Sequence, residues 1–271
     1  MKSIFTKKMI FVFLNLVFVA GLSFAANAAT IIFNDFSDVS SLQLNGDAGV
    51  VNNVLRVTPA HQRKAGSAFY KVPISVGSFS TKFTFYLHDR SCYWGGCYAA
   101  DGFTFVLQSS DAGNKAIGMG GGTLGYGGIN KSIAVEFDTY QDPTNTKQHI
   151  GIDTNGSLNS LKTINKGFYG QKTNVWIDYN IEGDGMLYVY ISNSDVKPEI
   201  QTLSYELGDL NTYLDPTNVY VGFTAATGYY FEAHDILSWE FDYEPLASVP
   251  LPGAIYLLGS SLLGLMVLRR K

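Results

Sequence analysis

Charge is scarce in this chain and cysteine scarcer: 15% of the 271 residues are Asp, Glu, Lys or Arg, and two are Cys. Low charge beside 46% hydrophobic and 14% aromatic content excludes a disordered, solvated polymer. Two cysteines are too few for a disulfide-dense miniprotein, and no further Cys or paired His suggests a zinc cluster. A basic surplus is also missing. Six of the 19 Lys and Arg residues (Lys2, Lys7, Lys8, Arg269, Arg270 and Lys271) lie at the two ends, leaving 13 basic against 23 acidic residues between Thr30 and Ser248, a net of −10. Nucleic-acid binding rests on phosphate neutralisation by Lys and Arg, so no nucleic-acid partner is expected. No stretch of that middle region sustains a helical apolar period over three turns, which argues against a helical domain.

The two ends read as sorting signals. Lys2, Lys7 and Lys8 precede an apolar run from Met9 to Ala20, and small residues follow, ending in Ala26-Asn27-Ala28. That order predicts a secretory signal peptide over residues 1–28. The other end, 249–271, runs Val249-Pro-Leu-Pro252, then an apolar stretch to Leu268, then Arg269, Arg270 and Lys271. A helix from Gly253 would be about 16 residues, ~24 Å against a hydrocarbon core of ~30 Å, so it is predicted as a short transmembrane helix that spans with thinning or snorkelling. The three cations would hold its end on the cytoplasmic side. Motif, short apolar helix and basic end resemble the bacterial PEP-CTERM sorting signal in its V-P-L-P variant, with Leu251 where the commoner form has glutamate. The resemblance implies export to a Gram-negative cell envelope, outer surface or extracellular matrix, membrane attachment before processing, and an exosortase-type enzyme as processing partner.

Between the ends, short apolar or alternating runs predict one all-β domain over 29–244, followed by a linker at 245–248. The clearest are Phe79–Leu87, Gly102–Leu107, Ser132–Asp138, Val175–Ile181, Met186–Ile191, Val219–Thr224 and Leu237–Phe241. Turn signals such as Glu182-Gly-Asp-Gly185 and Asp215-Pro216 separate them. Strands without crossover helices point to an antiparallel sandwich or jelly roll. Trp176 and Trp239 read as core aromatics, Gly118–Gly128 as a loop, and His61, His88 and His234 as structural. Cys92 and Cys97, close together in an exported chain, predict a disulfide that stiffens one loop.

Ala134-Val-Glu-Phe-Asp-Thr-Tyr140 places Glu136 and Asp138 two residues apart, hence on one strand face. Two carboxylates so close repel, and a raised pKa, a cation or an acid/base role accounts for such a pair. Asp142, Asn145 and His149 follow, oxygen and nitrogen donors suited to a hard cation beside a transition metal.

These residues resemble the metal-site segment of the legume-type (L-type) lectins: Val135-Glu-Phe-Asp-Thr-Tyr140, Asp142-Pro143, and His149-Ile-Gly-Ile-Asp153. Ala100-Asp-Gly-Phe-Thr-Phe105, Gly121-Gly-Thr-Leu-Gly125, and Val221–Gly228 with His234–Phe241 match further segments in the same order. The resemblance implies a concanavalin-like jelly-roll sandwich with a sugar site beside paired Ca²⁺ and Mn²⁺ ions. Glu136, Asp138 and His149 match transition-metal ligands, and Ser160 matches a serine that holds a metal-bound water. By the same resemblance Asp138 would bridge to Ca²⁺, joined by the Tyr140 carbonyl, Asp142 and Asn145. Asp101, preceded by a cis Ala-Asp peptide in the family, would accept two sugar hydroxyls. Gly122 would donate its backbone N–H, Tyr140 would offer a ring, and Asn145 or Asp142 a side-chain contact. Gly228 and Tyr229 would open the loop that sets specificity. One departure lies between Tyr140 and His149, where Asp142 and Asn145 stand in reverse order, or three residues are deleted.

Other readings stay open beside this one. A laminarinase-like hydrolase on the same architecture carries E-x-D-x-x-E on one strand, but the last position here is Gln141, which donates no proton to a leaving group. A structural or adhesive matrix protein with a degenerate sugar site would share fold and tail. The expectation is an exported, calcium-dependent glycan- or exopolysaccharide-binding protein without catalysis.

Overall fold

The structure is a computed structural model that describes residues 28–246, apart from positions 94, 142–147, 182 and 184. The expected signal peptide, the V-P-L-P tail with its apolar helix, Asp142 and Asn145 lie outside the described residues. Among the described residues no helix is long and apolar enough to cross a membrane.

In chain order the strands are β1 (Ala29–Phe33), β2 (Leu42–Gly46), β3 (Gly49–Val51), β4 (Val54–Thr58), β5 (Ala65–Tyr70), β6 (Ser78–His88), β7 (Ser91–Tyr93), β8 (Gly96–Tyr98) and β9 (Gly102–Gln108). They continue with β10 (Ser132–Asp138), β11 (His149–Thr154), β12 (Ser157–Asn165), β13 (Lys172–Tyr179), β14 (Met186–Ser192), β15 (Leu203–Glu206), β16 (Tyr220–Ala226) and β17 (Ala233–Glu244). Two antiparallel sheets result. One runs β15-β14-β13-β6-β17-β4-β3 with β1 also on β17, and the other runs β12-β11-β10-β9-β16-β5-β2. β7 and β8 form a separate hairpin. This is the antiparallel sandwich that the alternating runs predict.

Alternation explains how the sheets face each other. In β6, Phe79, Thr81, Phe83, Phe85 and Leu87 are buried while the residues between them are half-buried or exposed. Phe83 meets Phe103, Phe105, Phe137 and Phe223 of the opposite sheet at ring-centroid distances of 5.2–6.3 Å, three of the contacts edge-on at 79–85°. Burying each such ring contributes about 1.5–3 kcal/mol, with a further gain for edge-on pairs. β9 and β10 are buried along nearly their whole length because their outer face is covered too. There Phe69, Val106, Ala116, Tyr126, Ile129 and Ala134 form a second, smaller cluster. The glycine-rich segment 118–128, expected as a loop, supplies Tyr126 to it.

Trp176 is buried as expected, but outside the main core cluster. Trp176 sits in β13 between Val175 and Ile177, which belong to the main core, so the strand's two-residue period turns it to the outer face. It is 7% exposed there, and Lys82 lies over its ring at 5.5 Å to the centroid.

Candidate functional site

The register of β10 and β11 gathers the acids that the sequence places on one face. Asp138 pairs with His149, Glu136 with Gly151 and Ala134 with Asp153. Glu136, 2% exposed, has its Oε1 3.1 Å from His149 Nε2 and accepts a 2.6 Å hydrogen bond from Ser160 Oγ of β12. The space for that carboxylate exists because residue 151 is glycine: a Cβ there would stand 2.2 Å from Glu136 Oε1 and 2.7 Å from Ser160 Oγ. Asp138 Oδ1 accepts from the Tyr140 N–H at 2.8 Å. Burial pushes the Asp138 carboxyl up to about 7, His149 opposing and Glu136 adding to the shift.

Asp153 was not singled out from sequence. It is fully buried, neither of its carboxylate oxygens has a hydrogen-bond partner among the described residues, and burial beside the Glu136 charge raises its pKa. Its signal was available: Asp153 lies four residues after His149 on the same strand, hence on the same face. Two buried carboxylates, Glu136 and Asp153, with the half-buried Asp138 beside an imidazole and a hydroxyl, are costly without a compensating cation. The donor chemistry therefore fits a divalent ion. Among the described residues no three His, Cys, Asp or Glu side chains converge closely enough to hold one by themselves.

A second group adjoins the first. The Ala100–Asp101 peptide is cis. Asp101 donates its N–H to the Ala226 carbonyl at 3.1 Å and accepts at its own carbonyl from Thr139 N (3.0 Å) and Tyr140 N (3.3 Å). The ends of β16 and β10 thus pin it. Its side chain is 7% exposed, and Oδ2 has no hydrogen-bond partner among the described residues. Burial raises its pKa to about 6, His234 opposing and Glu232 adding to the shift.

Gly102, at φ +139°, follows it, and a Cβ there would lie 2.3 Å from the Phe137 carbonyl oxygen. Gly228 packs against the carboxylate, its notional Cβ 3.0 Å from Asp101 Oδ2. Gly121, in the turn Gly121–Thr123 that holds the exposed Gly122, comes within 4.0 Å of Gly228 on the same measure. Tyr140 and Tyr230 rings stack at 6.0 Å, and Tyr229 is 61% exposed.

The structure thus brings Asp101, Gly228 and Tyr140 together and sets the Gly122 turn beside Gly228. Glu136, Asp138, His149 and Ser160 form the neighbouring group. Glu232 went unnoticed in the sequence, where it looks like a loop acid. It is fully buried, accepts a short hydrogen bond from Thr139 Oγ1, and lies 3.2 Å from His234 Nε2. His234 is itself fully buried, and its Nδ1 is 2.6 Å from Thr58 Oγ1, as suits a structural histidine. His88 joins Arg56 and Asp235 in a network. His61 is exposed. Cys92 and Cys97 are disulfide-bonded across β7 and β8.

One end of the sandwich therefore carries an aspartate, glycine turns and tyrosines beside an acidic group. The legume lectin domain model matches residues 28–250, and the chain belongs to that family. It is 32% identical to a lectin of Pisum sativum over 261 residues, covering 86% of this chain and 90% of the relative. Among solved structures, basic winged bean lectin with Tn-antigen superimposes at a TM-score of 0.68 with 29% identity, over 81% of this chain and all of the other. A Bauhinia forficata lectin in complex with GalNAc gives 0.67 with 26% identity, over 81% and 99%. Relatives named as lectins support carbohydrate binding and accord with a non-enzymatic role.

Proposed function

We propose that the protein is an exported lectin whose glycan seat is the Asp101 carboxylate, with the N–H of Gly122, the Tyr140 ring, Asn145 and the Gly228–Tyr229 loop around it. The observation that carries the reading is Asp101 itself: a nearly buried carboxylate, held by both neighbouring strands, with Oδ2 left for an outside donor. Sugar hydroxyls are donors of that kind.

Glu136, Asp138 and His149 would hold a transition metal such as Mn²⁺, with Ser160 retaining a bound water. Asp138, the Tyr140 carbonyl, Asp142 and Asn145 would hold Ca²⁺. The ions would supply positive charge that offsets the buried carboxylates and fixes the strand end that carries Asp101's partners. In the proposed setting, a Gram-negative envelope or extracellular matrix, the glycan is an exopolysaccharide and an exosortase-type enzyme processes the tail. The altered order of Asp142 and Asn145 favours one second reading, an adhesive matrix protein with a degenerate site.

A glycan array run with and without EDTA decides between the two. Lectin activity predicts binding that EDTA abolishes and Ca²⁺ restores. Binding to no glycan in either condition overturns the lectin reading in favour of the adhesive one.

A further inference from the structure

The loop from β16 to β17 meets Asp101 at its start and reaches it again, through one intermediary, at its end. At the start the Ala226 carbonyl accepts the Asp101 N–H at 3.1 Å, and Gly228 then packs on the carboxylate. At the end stands Glu232, one residue before β17 and fully buried. Among the described residues its one ion-pair contact is His234 Nε2 at 3.2 Å, and its Oε2 has no hydrogen-bond partner.

Such a residue is costly. A buried carboxylate with an unsatisfied oxygen loses its hydration without full return, and an apolar side chain of similar volume would fill the space without that loss. Its charge gives no advantage to the seat either. Burial raises the Asp101 carboxyl to about 6, and of the two charges here His234 opposes the rise while Glu232 adds to it. What remains is the hydrogen bond that Glu232 Oε1 accepts from Thr139 Oγ1.

Thr139 is 1% exposed and directly follows Asp138, at the end of β10. Its backbone N–H is the one that donates to the Asp101 carbonyl at 3.0 Å. The hydroxyl bond therefore holds the residue that holds Asp101. A closed ring results: Asp101 N–H to Ala226, the loop onward to Glu232, Glu232 to the Thr139 hydroxyl, and Thr139 N–H back to Asp101. Behind Glu232, His234 is anchored in turn, its Nδ1 2.6 Å from Thr58 Oγ1 of β4.

Resting on the lectin reading above, we propose that Glu232 is a positioning residue of the glycan seat. Through the Thr139 hydroxyl it holds the end of β10 against the 227–232 loop, and so keeps Asp101 where its carboxylate meets sugar hydroxyls.

The test is calorimetry on the exported protein at saturating Ca²⁺ and Mn²⁺, with the tightest-binding glycan from an array of mono- to hexasaccharides as probe. Thr139→Val, which keeps the shape and removes the hydroxyl, should weaken binding at least about fivefold. Glu232→Ala takes its place if that variant fails to fold by circular dichroism. Thr139→Ser and Glu232→Gln each retain the hydrogen bond and should bind within about twofold of the wild type. Thr81→Val separates positioning from mere stability. Thr81, also 1% exposed, donates to the Glu240 carbonyl at 2.7 Å and accepts from Trp239 Nε1 at 3.0 Å within the other sheet. Its loss should lower the melting temperature and leave glycan affinity unchanged. Wild-type affinity in both Thr139→Val and Glu232→Ala overturns the proposal. So does a loss in Glu232→Gln equal to that in Glu232→Ala, or one in Thr81→Val as large as that in Thr139→Val. The lectin reading would survive these results, provided Asp101→Ala still abolishes binding. If no array glycan binds the wild type, both readings fall.

Discussion

Thr139 donates its backbone N–H to the Asp101 carbonyl at 3.0 Å, so the strand that carries Glu136 and Asp138 ends directly on the residue proposed to hold the sugar. The acidic group and the sugar seat are one mechanical unit. A shift of β10 moves Asp101, and the hydrogen bonds from Thr139 and Tyr140 fix its backbone from one side while Ala226 fixes it from the other.

The first prediction concerns that seat. A carboxylate hydrogen-bonded to hydroxyls contributes about 1.5–3 kcal/mol per bond, so Asp101→Ala should weaken glycan binding at least about tenfold in calorimetry. Asp101→Asn keeps the shape but turns one acceptor into a donor, and it should bind no better than the alanine variant. Wild-type affinity in both, with a native circular dichroism spectrum, would place the sugar elsewhere.

Metal removal is the second. The crowded carboxylates Glu136, Asp138 and Asp153 should make the ion-free protein less stable than the loaded one. Dialysis against EDTA should lower the melting temperature, and Ca²⁺ with Mn²⁺ at about 100 times Kd should restore about 2.7 kcal/mol. A melting temperature indifferent to both treatments argues against an ion at this site.

Gly151 supplies the third. The methyl group of Gly151→Ala would collide with Glu136 Oε1 at 2.2 Å, and the clash falls on a carboxylate confined by Ser160 and His149. Overpacking of this kind typically costs about 1–3 kcal/mol. The variant should also lose the metal-dependent gain in melting temperature, whereas Gly49→Ala, with nothing within 4 Å of its notional Cβ, serves as a neutral control.

The core gives the fourth. Phe83 is fully buried and packed on four rings of the opposite sheet, so Phe83→Ala should destabilise the fold by about 3–5 kcal/mol in urea unfolding. Ile32→Ala, on a residue 56% exposed in β1, should change stability by less than about 0.5 kcal/mol.

The sequence by itself determined the sandwich, because a two-residue apolar period written into runs such as Phe79–Leu87 has one low-energy outcome: a sheet with one face buried against another. It also placed Glu136 and Asp138 on a common face and paired Cys92 with Cys97, since these relations are local and follow from strand geometry and short loop closure. Register and long-range contact were beyond it. Asp153 joins the acidic group through the pairing of β10 with β11, and Glu232 reaches Thr139 across 93 residues of chain. Trp176 is buried as its sequence suggests, but on the outer face, because Val175 and Ile177 take the inner one. Gln62, whose amide donates to the Tyr93 hydroxyl and the Tyr229 carbonyl, joins three separate segments, which meet only where hydrogen bonds between loops, rather than any periodic pattern, set the distances. Tertiary structure decided those, because a loop's position is fixed by what it bonds to and not by its own residues.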